Sequence, residues 1–143
     1  MELSVVVPIL NEQENLLELH ERLSKTLNTL TETYEIIAID DGSTDNSFSI
    51  LKEIQQKDPH LRIIKLRRNF GQHPATFAGF ENSKGGIVIS IDADLQNDPS
   101  DISKLLKKIR EGFDVVSGKR LDRTDSFFRR KIPSMLINRF VSV

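Results

Sequence analysis

Short, nearly continuous apolar runs alternate along this chain with stretches in which apolar residues recur every three or four positions. The first pattern marks strands buried in a sheet, the second helices lying over it. Leu3 to Ile9 reads as a buried strand. Leu16, Leu19, Leu23, Leu27 and Leu30 then form one face of a helix. Tyr34 to Ile39 is the second strand, and Thr44 or Asp45 can cap a helix carrying Phe48, Leu51 and Ile54. Leu61 to Leu66 is the third strand, and Pro74 suits the first turn of a short helix running through Ala78 towards Asn82. Gly85-Gly86 breaks the chain before a fourth strand, Ile87 to Ile91. Asp98-Pro99-Ser100-Asp101 opens a helix with Ile102, Leu105, Leu106 and Ile109 inward and Gly112 at its end. Phe113 to Ser117 reads as a fifth strand. From Ser126 to Val143, Phe128, Ile132, Met135, Leu136, Phe140 and Val143 recur at roughly helical spacing among Arg129, Arg130, Lys131 and Arg139. Strands alternating with helices predict an α/β fold with a mostly parallel sheet flanked by helices.

With 143 residues, 38% hydrophobic and 29% charged, the chain has the size of one domain with enough apolar material for a core. The absence of cysteine excludes disulfides, thiolate metal sites and cysteine nucleophiles. No basic leader precedes the first apolar run, and no run approaches the ~20 apolar residues needed to span a bilayer. A net charge of -1 argues against a uniform nucleic-acid-binding coat, so no nucleic-acid partner is expected. That average conceals an asymmetry. Met1 to Gly118 holds 13 Lys/Arg against 19 Asp/Glu, whereas Lys119 to Val143 holds 7 against 2. An acidic body carries a basic, amphipathic tail of the kind that lies on anionic lipid.

Ligands of an open parallel sheet bind beyond the carboxyl ends of its strands, and those ends are polar in this sequence. They read Asn11-Glu12, Asp40-Asp41-Gly42-Ser43, Arg67-Arg68-Asn69, Asp92-Ala93-Asp94 and Gly118-Lys119-Arg120. In extended chain, residues i and i+2 point the same way, so Asp92 and Asp94 can face one small volume. Their repulsion is relieved by a hard divalent cation that takes carboxylate oxygens on one side and phosphate oxygens on the other. Gln96 could add a neutral oxygen. Plain turn formation is the competing account of Asp92, Asp94 and Asp41 alike, since Asp is a common turn residue. Neither known glycine-rich phosphate loop is present, so phosphate charge must be met by metal and side chains. His73 lacks a suitably spaced nucleophile or ligand, and His20 and His60 read as ordinary surface positions.

Val5-Val6-Val7-Pro8-Ile9-Leu10-Asn11-Glu12, Ile39-Asp40-Asp41-Gly42-Ser43-Thr44-Asp45, Asp92-Ala93-Asp94-Leu95-Gln96 and Ser117-Gly118-Lys119-Arg120, in this order, resemble the family 2 glycosyltransferases. Within them the chain is similar to the polyprenyl-phosphate branch, which holds dolichol-phosphate mannose synthase and the bacterial undecaprenyl-phosphate sugar transferases. Arg68-Asn69-Phe70-Gly71-Gln72-His73 and Asp125-Ser126-Phe127-Phe128-Arg129-Arg130 resemble the bacterial members, among them the glucosyl and 4-deoxy-4-formamido-L-arabinose transferases. The resemblance implies a GT-A (Rossmann-like) fold, incomplete at the C-terminus, with residues 1–118 a nucleotide-sugar-binding core and 119–143 a basic acceptor-side loop and juxtamembrane helix. It implies Mg²⁺ or Mn²⁺ and inverting transfer of a sugar from a nucleotide sugar, UDP-sugar favoured, to undecaprenyl (polyprenyl) phosphate. Pro8, Leu10, Glu12, Ile39 and Asp41 would surround the nucleoside, and Asp92, Ala93 and Asp94 the diphosphate. Asp92, Asp94 and Gln96 would serve the metal, with Asp94 the direct ligand. Arg120 would hold phosphate at the reacting centre, joined by Arg130 and Ser134 at the acceptor phosphate. The expected location is the cytoplasmic side of the plasma membrane, with the membrane surface a partner and self-association left open.

Two readings compete with this one. A chain ending short of its acceptor half could bind nucleotide sugar without turnover, and a transferase of the same fold could use a soluble saccharide acceptor. A receiver-like signalling module is disfavoured, because its acidic pair should follow the first strand.

Overall fold

The computed structural model describes residues 1–30 and 33–118. Four parallel strands, β1 (Leu3–Ile9), β2 (Tyr34–Asp40), β3 (Leu61–Lys65) and β4 (Ile87–Ser90), form one sheet in the order β3-β2-β1-β4. All seven residues of β1 and all seven of β2 are buried, as central strands covered on both faces must be. Helices α1 (Leu16–Leu30), α2 (Ser47–Gln55) and α4 (Ile102–Arg110) cover one face. Leu16, Leu19, Leu23, Leu27, Leu51, Ile54, Ile102 and Leu106 pack there with Val5, Val7, Ile36 and Ala38. Helix α3 (Gln72–Glu81) covers the other, its Ala75 packed with Val6, Ile37 and Ile39. A Cβ added to Gly79 would lie 2.3 Å from Val6 Cγ1 and 2.8 Å from Ile39 Cδ1, so glycine is what lets α3 approach this closely.

The amino-terminal edge of the sheet is tied by a buried acid. Glu35, 1% exposed, accepts from Ser4 Oγ at 2.7 Å, from the Lys84 amide at 2.7 Å and from the Arg62 guanidinium. Ser4 Oγ in turn accepts from the Gly85 amide at 2.8 Å, and Arg62 donates to the Asn82 carbonyl at 3.0 Å. Burial opposes the charge on Glu35, but the Arg62, Ser4 and Lys84 hydrogen bonds outweigh it and hold its pKa below the usual value. The turn between α3 and β4 is fixed by these bonds.

Two expectations need correction. Residues 113–118 form no strand; Phe113 is 57% and Val115 84% exposed. An apolar run becomes a strand only when a neighbour supplies ladder bonds, and no described strand pairs with this one. Nor are His20 and His60 ordinary surface positions. Each ring contacts a different oxygen of Asp58, His20 Nε2 at 2.7 Å and His60 Nδ1 at 2.9 Å, and the His60 ring stacks on Tyr34 with centroids 4.3 Å apart. Burial would raise the pKa of Asp58, but the His60 amide and the two imidazoles hold it below its ordinary value. This cluster locks α1 to the loop before β3, a pairing across 38 residues that no local pattern announces. The basic amphipathic helix expected within 119–143, with Arg120, Arg130 and Ser134, lies outside the described residues.

Candidate functional site

An open cleft of about 300 Å³ lies beyond the carboxyl ends of β1, β2 and β4, lined by Pro8, Ile9, Leu10, Glu12, Asp41, Gln72, Asp92, Ala93 and Asp94. Proline helps to open it. Val6 O accepts from the Ile91 amide at 3.0 Å, and the last β1–β4 register pair is Val6 with Ser90. Two residues on, on the side facing β4, Pro8 has no N–H to continue the ladder, and the strands part.

Paired loops hold the nearer wall. Asn11, at φ 56°, donates its amide to Ser43 Oγ at 3.0 Å and accepts from the Thr44 amide at 2.8 Å. The Glu12 amide donates to Ser47 Oγ at 2.9 Å, and the Gln13 amide to Asp45 at 3.2 Å. Burial works against the charge on Asp45, but its Ser47 and Gln13 hydrogen bonds prevail and hold its pKa low. The Glu12 carboxylate accepts from Asn15 Nδ2 at 2.6 Å, so the acid that lines the cleft also braces the start of α1.

The two acids after β2 have different tasks. Asp40 is fully buried; one oxygen accepts from the Ser43 amide at 3.0 Å and the other stands 3.9 Å from Lys65 Nζ, with no hydrogen-bond donor of its own. Asp41 lines the cleft and accepts from the Phe70 and Gly71 amides, both at 2.8 Å. Turn formation therefore accounts for Asp40 and in part for Asp41, yet the Asp41 carboxylate also borders the open space. At Gly42, φ 73°, the β3–α3 loop passes so closely that a Cβ would meet the Arg68 carbonyl carbon at 2.5 Å.

On the far wall Asp92, buried Ala93 and Asp94 all line the cleft, carried there by a turn that follows β4 rather than by extended chain. Gln72 Nε2 donates to Asp92 Oδ1 at 2.7 Å, and Asp94 Oδ1 accepts from the Gln96 amide at 3.0 Å across Leu95, whose φ is 59°. Among the described residues no three His, Cys, Asp or Glu side chains gather closely enough to cage a metal ion. Asp92 and Asp94 bring hard carboxylate oxygens to one cleft, a donor type that fits Mg²⁺ or Mn²⁺, which keeps several coordination sites for phosphate and water.

Seven expected donor-site residues, Pro8, Leu10, Glu12, Asp41, Asp92, Ala93 and Asp94, thus meet at one cleft. Ile39 does not: it is fully buried on the α3 face of the sheet, where its place in β2 directs it. Gln96 does not line the cleft either; its amide, rather than its side chain, serves Asp94. Gln72 does line it and was not foreseen. Its signal was a place at the start of a helix that follows a strand's carboxyl end.

With that geometry established, residues 4–141 match the profile of Glycosyl transferase family 2. The chain belongs to glycosyl transferase family 2. It is 46% identical, over 97% of its length, to the undecaprenyl-phosphate 4-deoxy-4-formamido-L-arabinose transferase of Proteus mirabilis, and spans 43% of that relative. Its fold is similar to that of TarS from S. aureus in complex with UDP (TM-score 0.65, 23% identity, 86% of this chain and 38% of that one). It is similar too to the mannosyltransferase PcManGT of Pyrobaculum calidifontis in complex with GDP-Man and Mn2+ (TM-score 0.66, 22% identity, 74% of this chain and 31% of that one). These likenesses make the four-stranded sheet and its helices part of a GT-A fold. No helix among the described residues of this family 2 chain is long and apolar enough to cross a membrane.

Proposed function

We propose that this chain carries the donor-binding half of an inverting glycosyltransferase that moves a sugar from a nucleotide sugar, with UDP as the favoured nucleotide, to a polyprenyl phosphate at a membrane surface. The observation that carries the reading is the cleft that gathers Glu12, Asp41, Asp92 and Asp94 beyond the strand ends. Four carboxylates repel a nucleoside diphosphate, so binding one requires cations, and Asp92 with Asp94 is the pair suited to hold a divalent one. When bound, such an ion supplies electrostatic stabilisation of the departing diphosphate. Pro8, Leu10, Glu12 and Asp41 offer an apolar edge and acceptors for the nucleoside, and Arg120 adds positive charge to the leaving phosphate. The acceptor is a phosphate oxygen already ionised at neutral pH, so the reaction does not depend on a strong general base, and a single displacement inverts the anomeric carbon. In this division residues 1–118 hold the donor, while Arg130 and Ser134 within 119–143 serve the acceptor phosphate. The relative's name favours undecaprenyl phosphate.

The test is sugar transfer from a UDP-sugar to undecaprenyl phosphate in detergent micelles with Mn²⁺, compared between the wild type and Asp94→Ala. A loss of about a thousandfold, with unchanged thermal unfolding, is expected. Full activity of Asp94→Ala sinks the metal assignment. Transfer to a soluble saccharide but not to the lipid redirects the acceptor, and donor binding without transfer marks a non-catalytic binding unit.

A further inference from the structure

We propose that Gln72 is a positioning residue that sets the orientation of Asp92, and that the segment Phe70–Gln72 links the two walls of the cleft. The proposal rests on the reading of the cleft as a metal-assisted nucleotide-sugar site.

The chain of contacts is short. Asp41, at the end of β2 on the nucleoside side, accepts the Phe70 and Gly71 amides at 2.8 Å each, which fixes the backbone immediately before α3. Gly71 has φ 100°, so the chain turns there through a conformation suited to glycine, and Asn69 Oδ1 also accepts the Gly71 amide at 2.9 Å. The next residue is Gln72, first in α3, and its Nε2 reaches across the cleft to Asp92 Oδ1 at 2.7 Å. One carboxylate therefore anchors a segment whose side chain orients another.

The chemistry suits this task. A carboxylate has two oxygens with about four acceptor positions, so an amide N–H on Oδ1 fixes the carboxylate plane and leaves acceptor capacity for a cation. A glutamine can do this without adding charge beside the metal, as a lysine would. Hydrogen bonds of this second tier fix the orientation of metal ligands, and losing one commonly weakens metal affinity by about 10–100-fold.

The experiment measures Mn²⁺ uptake by the full chain in the presence of UDP, from the loss of the free Mn²⁺ electron paramagnetic resonance signal. Wild type, Gln72→Met, Asp92→Ala and the double variant are compared. Methionine keeps the length and helix preference of glutamine but has no N–H. Gln72→Met should weaken Mn²⁺ binding about tenfold and alter the spectrum of the bound ion, with thermal unfolding unchanged. In the Asp92→Ala background, which leaves Gln72 no acceptor at this position, the same substitution should have no further effect, because Gln72 acts through Asp92. Equal Mn²⁺ affinity in wild type and Gln72→Met overturns the proposal while leaving the site reading intact. So does an undiminished effect in the Asp92→Ala background, which would mean that Gln72 contacts the ligand itself. A wild-type chain that takes up no Mn²⁺ with UDP overturns the metal-site reading, and this proposal with it.

Discussion

The two ends of this parallel sheet both carry acids and use them in opposite ways. At the amino-terminal edge Glu35 is enclosed by Ser4, Lys84 and Arg62, and the bonds hold chain to chain. At the carboxyl edge Glu12, Asp41, Asp92 and Asp94 border an open cleft. Acidic residues alone therefore do not mark a site; what surrounds them does. A buried acid saturated by donors is a structural tie, whereas acids gathered on an open cleft present carboxylate oxygens to whatever enters it.

The largest expected effect tests this division directly. Glu35→Ala leaves the Arg62 cation without its carboxylate and the Lys84 amide with only its longer bond to Ser4 Oγ, and should cost about 3 kcal/mol in urea unfolding; the partly exposed Arg62, which keeps the Asn82 carbonyl, holds it at the low end for a broken buried pair. Asp94→Ala loses one turn hydrogen bond and should cost about 1 kcal/mol or less. If Asp94 proved the costlier of the two, the carboxyl edge would be a structural tie as well.

Asp41 sharpens the comparison, because it belongs to both categories. It lines the cleft yet accepts two backbone amides. Asp41→Asn replaces one charged acceptor with an amide group that faces an N–H, which should cost about 2 kcal/mol of stability. It should also weaken UDP binding in calorimetry. Intact stability with weakened binding would place Asp41 wholly in the site.

The sequence disclosed these regions unequally, for physical reasons. Strands β1 and β2 and helices α1 and α4 were legible because burial on one or both faces imposes a run or a 3.6-residue period on the residues that form them. Asp92 and Asp94 were legible as cleft residues because they follow a strand's carboxyl end, although the extended i, i+2 geometry expected of them gives way to a turn at residues 93–94. Glu35 passed unnoticed within an apolar run, since its partners Ser4, Arg62 and Lys84 come from three other segments. The Asp58 pairing with His20 and His60 escaped for the same reason, as did Gln72, whose role depends on a residue 20 positions away. The misread strand at 113–117 shows the converse: an apolar run states a preference, and pairing decides.

The smallest expected effect concerns pH and isolates the amino-terminal tie. Glu35 has its pKa lowered in the folded chain, so the native state favours its charged form. A depressed carboxylate contributes stability that is present above its unfolded pKa and lost as pH falls through the folded one. Asp58 adds to the same acid loss, being lowered as well. Glu35→Gln keeps an acceptor for Ser4 or Lys84 but has no charge to lose. At pH 7 the variant should melt below the wild type. As pH drops below about 4 the gap between their melting temperatures should narrow, because a protonated Glu35 and the substituted glutamine are then nearly equivalent. A gap that stays constant into acid would mean that packing, rather than the ion pair with Arg62, is what Glu35 supplies.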